Sequence, residues 1–491
     1  GQLPGTDTIR GHRQWIGAVY FQDTWRISRR LSLDLGLRWE WTTVPTEVNG
    51  KVANLDKLSD TEMRVGDPLF DNPSLANILP RMGLAWDLLG NGKTLVRAGY
   101  GIFPDLLLPH FLLNSGVRNP PFFLRGDTRR LVRGDFPRGG YARLLADPNP
   151  ELRAERIPRD LSQPYVQQWN LNIERALDRN TSVRFGYVGS HGLNLSSITA
   201  DANLTEPVTL PDGRLTFPVN GKRINPVFSR IRDHNFHAQS FYHGLQTWFR
   251  HRMSRVLQTQ VSYSFSKSID DSSNFNNDNE AANGGLLPLN GSPKFNRGLS
   301  AHDVRHYVAA SGTWELPVQE GPGWRRVLGG WHASGIITYS SGVPTTVWLD
   351  YDAARTQTSE SGSTMGQRPD LAPGARGSLV TGDPRRWVEA GAFRRPVPGF
   401  LGNLGRNTIG GPDLANVDFS LVKRMRISRL GEGVSLDFRT EFFNLFNRTN
   451  FDLPTPDRMV VFDQNITRED FGRISSAAPS REIQFGLKLR F

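Results

Sequence analysis

The chain has 491 residues, no cysteine, a formal net charge of +11, and 37% hydrophobic against 22% charged residues. Without cysteine there is no disulfide staple, thiolate metal site or cysteine nucleophile, and no run of about 18 apolar residues offers a helical membrane span. The basic excess is scattered as arginines over the whole length, with no basic helix to gather it. No nucleic-acid partner is therefore expected; an anionic membrane leaflet, or an anionic partner inside a pore, fits the charge.

In chain order, the opening "GQLPGTDTIRGHRQW" carries neither an initiator Met nor the apolar core of a signal peptide. Apolar runs follow. "QWIGAVYFQ" is apolar on both faces, whereas "LSLDLGLRWEW" (31–41) puts Leu or Trp at every odd position and Ser32, Asp34, Gly36, Arg38 and Glu40 at the even ones. "VLQTQVSYSFSKS" (256–268) sets Leu257, Val261, Tyr263 and Phe265 against a small, hydroxylic, uncharged face. The last segment, "REIQFGLKLRF", alternates without error through Ile483, Phe485, Leu487, Leu489 and Phe491. Such runs predict about 13 strands, near 13–26, 31–43, 80–88, 93–103, 163–177, 180–191, 240–253, 256–269, 302–316, 331–342, 413–426, 433–447 and 480–491.

The connections alternate strictly between short and long. "ISRR", "LGNGK", "DR", "MSR" and "RISRLGEG" read as tight turns, with 317–330 longer; between them lie 44–79, 104–162, 192–239, 270–301, 343–412 and 448–479, rich in Pro, Gly, Asn and Arg. Short turns at one rim and long loops at the other are the pattern of an outer-membrane barrel, not of a sandwich. The expected fold class is all-β, an antiparallel transmembrane β-barrel of the bacterial outer membrane. With long loops outside, the last strand runs inward and Phe491 falls at the periplasmic rim; the first strand also runs inward. An odd count does not close an even barrel. Residues 1–12 are thus expected to be an outer-rim loop remnant, and 13–491 the C-terminal part of a barrel domain.

"GAVYFQDTWRISRRLSLDLGLRWE", "LPRMGLAWDLLGNGKTLVRAGYGIFPD", "YVQQWNLNIERAL", "SAHDVRHYVAASGTWELP", "GNLGRNTIGGPDLANVDFSLVKR" and "FGRISSAAPSREIQFGLKLRF" resemble, in consistent order, the barrel of TonB-dependent outer-membrane receptors, closest to the Oar-like group with a carboxypeptidase-regulatory-like domain. The resemblance implies a barrel of about 22 strands, a plug inside it, and uptake driven by TonB, ExbB and ExbD. Plug, TonB box and regulatory-like domain are not expected within this chain. The resemblance also implies that Phe485, Leu487, Leu489 and Phe491 form the strand signal read by the barrel-assembly machinery.

Other constellations carry little chemistry. His302 and His306 are four apart, but on a strand that spacing is about 13 Å, too far to share an ion. "DDSSNFNNDNE" (270–280) holds Asp270, Asp271, Asp278, Asn279 and Glu280 without the Gly-centred spacing of a calcium loop, and reads as a solvated loop tip. "GNLGRNTIGG" is no phosphate cradle; its Gly and Asn are expected at positive φ. Catalytic motifs are lacking, so no enzyme and no cofactor is expected. In the barrel reading Asp34, Arg38, Glu40, Arg184, Asp437, Arg439, Glu441, Lys488 and Arg490 line the lumen, where opposite charges on adjacent strands can pair and dock a plug. Phe122, Phe123 and Arg125 are loop residues for ligand contact or loop packing. The expected function is import of a large or scarce solute (siderophore, glycan, peptide or protein) through a plug-gated barrel in outer-membrane lipid. The alternatives are a passive porin-like channel and a soluble β-rich binding or adhesion protein.

Overall fold

The computed structural model describes the chain apart from residues 1–2, 109–116, 128–132, 135–138, 147–150, 200, 254–255, 274–294, 319–322, 359–365, 376–378, 428–430 and 432. All thirteen expected strands form: β1 (Ile16–Arg26), β2 (Leu31–Thr42), β3 (Ile78–Asp87), β4 (Thr94–Pro104), β5 (Tyr165–Ala176), β6 (Thr181–Thr199), β7 (Arg230–Met253), β8 (Leu257–Asp270), β9 (His306–Glu315), β10 (Trp331–Ser340), β11 (Leu414–Arg426), β12 (Ser435–Phe443) and β13 (Glu482–Arg490). Each pairs antiparallel with the next in one continuous meander. Among the described residues no ladder joins β1 to β13.

The tight turns have local causes. In 88–93 the Asp87 carboxylate accepts from the N–H groups of Gly90 (3.0 Å) and Gly92 (2.9 Å), and both glycines sit at positive φ, 69° and 70°. At the opposite rim β12 stops at Phe443, earlier than the expected 447. Asn444 and Asn447 turn the chain at φ 50° and 52°, a conformation asparagine tolerates through its short polar side chain.

Two strands run past their expected ends. β6 continues beyond 191 to Thr199, and β7 begins at Arg230 rather than 240. Their register slips between Gly192, Leu195 and Ser197, and above that point Ile198, Ile231 and Phe236 are buried. A short strand, Glu151–Arg156, pairs parallel with the start of β7, Arg153 opposite Arg230 through Arg156 opposite Asp233. With protein on both sides, the extension has no reason to alternate.

Burial is inverted relative to a soluble domain. On the strands the large apolar side chains face out, Leu487 at 70% and Phe485 at 67% exposed, while Val347, Leu349, Val388, Met459 and Val461 in the connections are fully buried. The largest core joins two distant loops: Trp348 and Leu349 pair parallel with Val460 and Phe462, and Val388, Phe393, Leu404, Ile409 and Phe471 pack around them. Smaller cores join 44–70 to 107–161 and Phe236, and Leu204 and Phe217 to Ala354.

Candidate functional site

The pairing register carries one face across the whole sheet. Asp34 on β2 stands opposite Gly83, which leads through Gly99 and Asn170 to Val188 on β6, the parity of Arg184. Arg184 leads through Trp248, Ser262, Ala309 and Thr338 to Asn416, and two steps of two residues along β11, Ser420 stands opposite Glu441 and then Gln484. Asp34, Arg38, Glu40, Arg184, Asp437, Arg439, Glu441, Lys488 and Arg490 therefore share one face. Phe485, Leu487 and Leu489 lie on the other, opposite Thr440, Phe438 and Leu436. Phe491 follows β13 and is 93% exposed.

The polar residues gather into two groups at opposite ends of the strand path. On β11–β13 the Asp437 carboxylate accepts from Arg424 (3.0 Å) and pairs with Arg490 (2.9 Å), with Lys488 beside it in register; Arg439 and Glu441 meet at 3.5 Å. On β1–β2 Arg38 pairs with Glu40 at 2.6 Å, and Asp34 accepts from Thr24 at 2.7 Å. Arg184 stacks over Trp248 at 5.6 Å. Arg184, Arg439, Lys488 and Arg490 remain exposed while Asp437 is buried, so a solvated pair such as Arg439–Glu441 is worth roughly 0–1 kcal/mol and can be exchanged for a partner or solute at little cost. Between the groups the short side chains of β8–β10 recess the wall. A concavity of about 480 Å³ opens there among Arg250, Arg252, Gln260, Ser311, Ser334 and Glu441.

The long connections form a packed crown at one rim. Arg406 is its most buried cation among the described residues: its side chain is fully enclosed, donating to the carbonyls of Asn296 (2.5 Å) and Asp270 (2.6 Å), the Ser273 hydroxyl (3.3 Å) and the Asp270 carboxylate. Asp271 accepts from the Gln239 N–H at 3.0 Å and lies 3.6 Å from Arg297; its burial pushes its carboxyl above the usual range. Asp270 and Asp271 are thus structural rather than parts of a solvated tip, while Asp278, Asn279 and Glu280 lie outside the described residues. Phe122 packs under Arg10 at 5.7 Å and its carbonyl accepts from the Asp7 N–H, and the Phe123 N–H donates to the Asn119 carbonyl. His306 Nδ1 lies 2.9 Å from the Tyr263 hydroxyl, and among the described residues no three His, Asp or Glu side chains could hold a metal ion. In "GNLGRNTIGG" only Asn407 takes positive φ, at 55°. Gly402 is glycine for another reason: a Cβ there would fall 2.0 Å from the Arg368 carbonyl.

This geometry, an antiparallel meander with one apolar face, one charged face and a loop crown at one rim, has counterparts. The family model described as outer membrane beta barrel domain matches residues 2–484. The chain belongs to that family. As an outer-membrane barrel it is similar in structure to the outer membrane transporter YddB from Escherichia coli, at TM-score 0.50 and 12% identity, covering 96% of this chain and 45% of the other. It is also similar to the siderophore receptor PiuA from Acinetobacter baumannii (TM-score 0.44, 11% identity, 97% and 43% covered) and to the ferric enterobactin receptor PfeA from Pseudomonas aeruginosa (0.45, 11%, 97% and 44%). The chain spans under half the length of each. No curated protein sequence matches it.

Several charged residues on the barrel's polar face escaped the sequence reading: Arg97, Glu174, Arg250, Arg252, Asp418 and Arg424. Arg97 pairs with Glu174 at 3.3 Å across β4–β5. Parity alone would have found them, but segments such as "HGLQTWFRH" place His243 and His251 on the apolar face and Trp248 on the polar one, and blur the alternation. Arg406 gave no signal. A lone arginine in a glycine-rich loop reads as solvated.

Proposed function

We propose that the barrel is the membrane-spanning part of an Oar-like, TonB-dependent importer, in which a plug gates the passage of a large or scarce solute and the TonB, ExbB and ExbD complex supplies the energy. The observation that carries this reading is the polar face with its exchangeable ion pairs, roofed by loops that have their own hydrophobic cores. A passive pore needs a wet wall but no folded crown; a crown built from co-folded loops offers a preorganised surface on which a scarce solute can be selected. The lining residues Asp34, Arg38, Glu40, Arg184, Asp437, Arg439, Glu441, Lys488 and Arg490 would then face a plug, the solvated ones among them holding it by pairs weak enough to release it. The solute is a siderophore, glycan, peptide or protein, and no chemistry is done on it. The exposed Phe485, Leu487, Leu489 and Phe491 would be the signal taken by the barrel-assembly machinery.

The test uses the protein purified from its own outer membrane and placed in a planar bilayer. Gated import predicts negligible resting conductance and capture of the protein by the periplasmic domain of TonB. A steadily open channel that TonB does not capture refutes it in favour of a porin.

A further inference from the structure

The inner-rim connection between β9 and β10 holds a short helix, Trp324–Leu328. Its position follows from two side chains. Trp331 and Lys423 stand opposite each other in the β10–β11 ladder, on the same face as Ala333 and Leu421, which is the apolar face that also carries Phe485 and Leu487. Trp331 Nε1 donates to the Val327 carbonyl at 2.7 Å, and Lys423 Nζ donates to the Val327 carbonyl at 3.1 Å and to that of Gly329. These three bonds draw the C-terminal end of the helix toward the lipid side of the wall rather than under the lumen. There the helix leaves Trp324, Val327 and Leu328 exposed, at 61%, 66% and 47%.

Directly above, an apolar concavity of about 200 Å³ is lined by Trp314, Leu316, Trp331, Ala333 and Leu421. It is continuous with the lipid-facing surface, since Trp314 stands opposite Ala333, and Ala333 opposite Leu421. Arg325 is exposed on the helix, its guanidinium 5.6 Å over the Trp324 ring. An aromatic and aliphatic foot that carries an exposed arginine, at the level where short turns meet the periplasmic leaflet, has the chemistry of an interfacial anchor. We propose that the helix and the concavity above it bind one phospholipid of the periplasmic leaflet, an acyl chain filling the concavity and the phosphate resting on Arg325. The site rests on the barrel fold and not on any assumption about what is transported.

Because the chain has no cysteine, a single Val327→Cys gives one label site. The full chain, bimane-labelled there, is reconstituted in phosphatidylcholine vesicles with acyl chains brominated either near the carbonyl or near the methyl end. The expected result is quenching by the shallow bromines, little by the deep ones, and none at a Val219→Cys control in the crown. Quenching of the 327 label by aqueous iodide and by neither lipid would overturn the proposal. A second measurement is native mass spectrometry of the detergent-solubilised chain with palmitoyl-oleoyl phosphatidylglycerol. Ala333→Trp, which fills the concavity, should abolish retention of the one tightly held lipid. Arg325→Gln, an exposed change that leaves the fold alone, should lower it on the order of tenfold, the effect of losing one charge-assisted hydrogen bond. Equal retention by wild type and both variants would remove the site.

Discussion

Replacing Arg406 by methionine should unlock one part of the crown while leaving the barrel wall intact. Arg406 holds the loop 343–412 to the end of β8 through the carboxylate and carbonyl of Asp270 and the carbonyl of Asn296, with both charged side chains almost completely enclosed. Methionine keeps much of the apolar stem but strands the Asp270 carboxylate in a buried site. Breaking a buried pair on one side costs about 3–5 kcal/mol. The Ser273 hydroxyl still donates to both Asp270 oxygens, at 3.0 and 2.8 Å, so the low end applies. About 3 kcal/mol is roughly a hundredfold in the local opening equilibrium. The amides to watch are those of Asn407, which donates to Thr346 at 2.8 Å, and Gly411, which donates to Val343 at 2.9 Å. Hydrogen exchange of the peptide around them, in the reconstituted protein, should accelerate by that factor, and adding Asp270→Asn should recover much of it because no unpaired charge remains. Acceleration of less than about tenfold would mean that the hydrophobic core alone holds the loop and that Arg406 contributes little.

Three further outcomes follow from other parts of the molecule. Leu487→Arg, on the lipid face of β13, should cost roughly 2–4 kcal/mol in urea unfolding from bilayers, while Lys488→Gln next to it costs little; equal effects would contradict the facing assigned by the register. Deleting Phe491 should lower the heat-modifiable, membrane-inserted fraction, and unchanged insertion would remove the assembly-signal reading. In the first long loop, burial alone would push the Glu47 carboxyl up, but N–H donations from Gly11, Lys51 and Asn49 and the charge of Arg10 outweigh it and hold it below the usual carboxylate range. A folded pKa below the unfolded one means the contribution is complete above about pH 4.3 and is lost as pH falls through the folded value. Exchange protection of residues 44–53 should therefore drop on the acid side, and Glu47→Gln, roughly 1–3 kcal/mol weaker at neutral pH, should flatten that dependence; superimposable acid profiles would refute it.

What could be read from the sequence, and what could not, divides along a physical line. A period of two appears only where the two sides of a strand meet different surroundings. Most of the thirteen strands show that alternation over their membrane-spanning part, β1 with its doubly apolar "QWIGAVYFQ" excepted, and parity alone then put nine charged residues on one face and Phe485, Leu487 and Leu489 on the opposite one. Above the bulge at Gly192–Ser197 the condition fails, because β6 and β7 have protein on both sides. "RIRDHNFHAQ" accordingly reads as loop although it is strand. The crown was least legible. Its main core brings Trp348 and Leu349 against Val460 and Phe462, more than a hundred positions apart, in two-residue and four-residue strands too short to carry any period. Its central cation reads as a surface charge until the fold encloses it. Local pattern therefore locates the wall of such a protein, whereas the surface that would select a solute is specified by long-range packing among segments that look individually like turns.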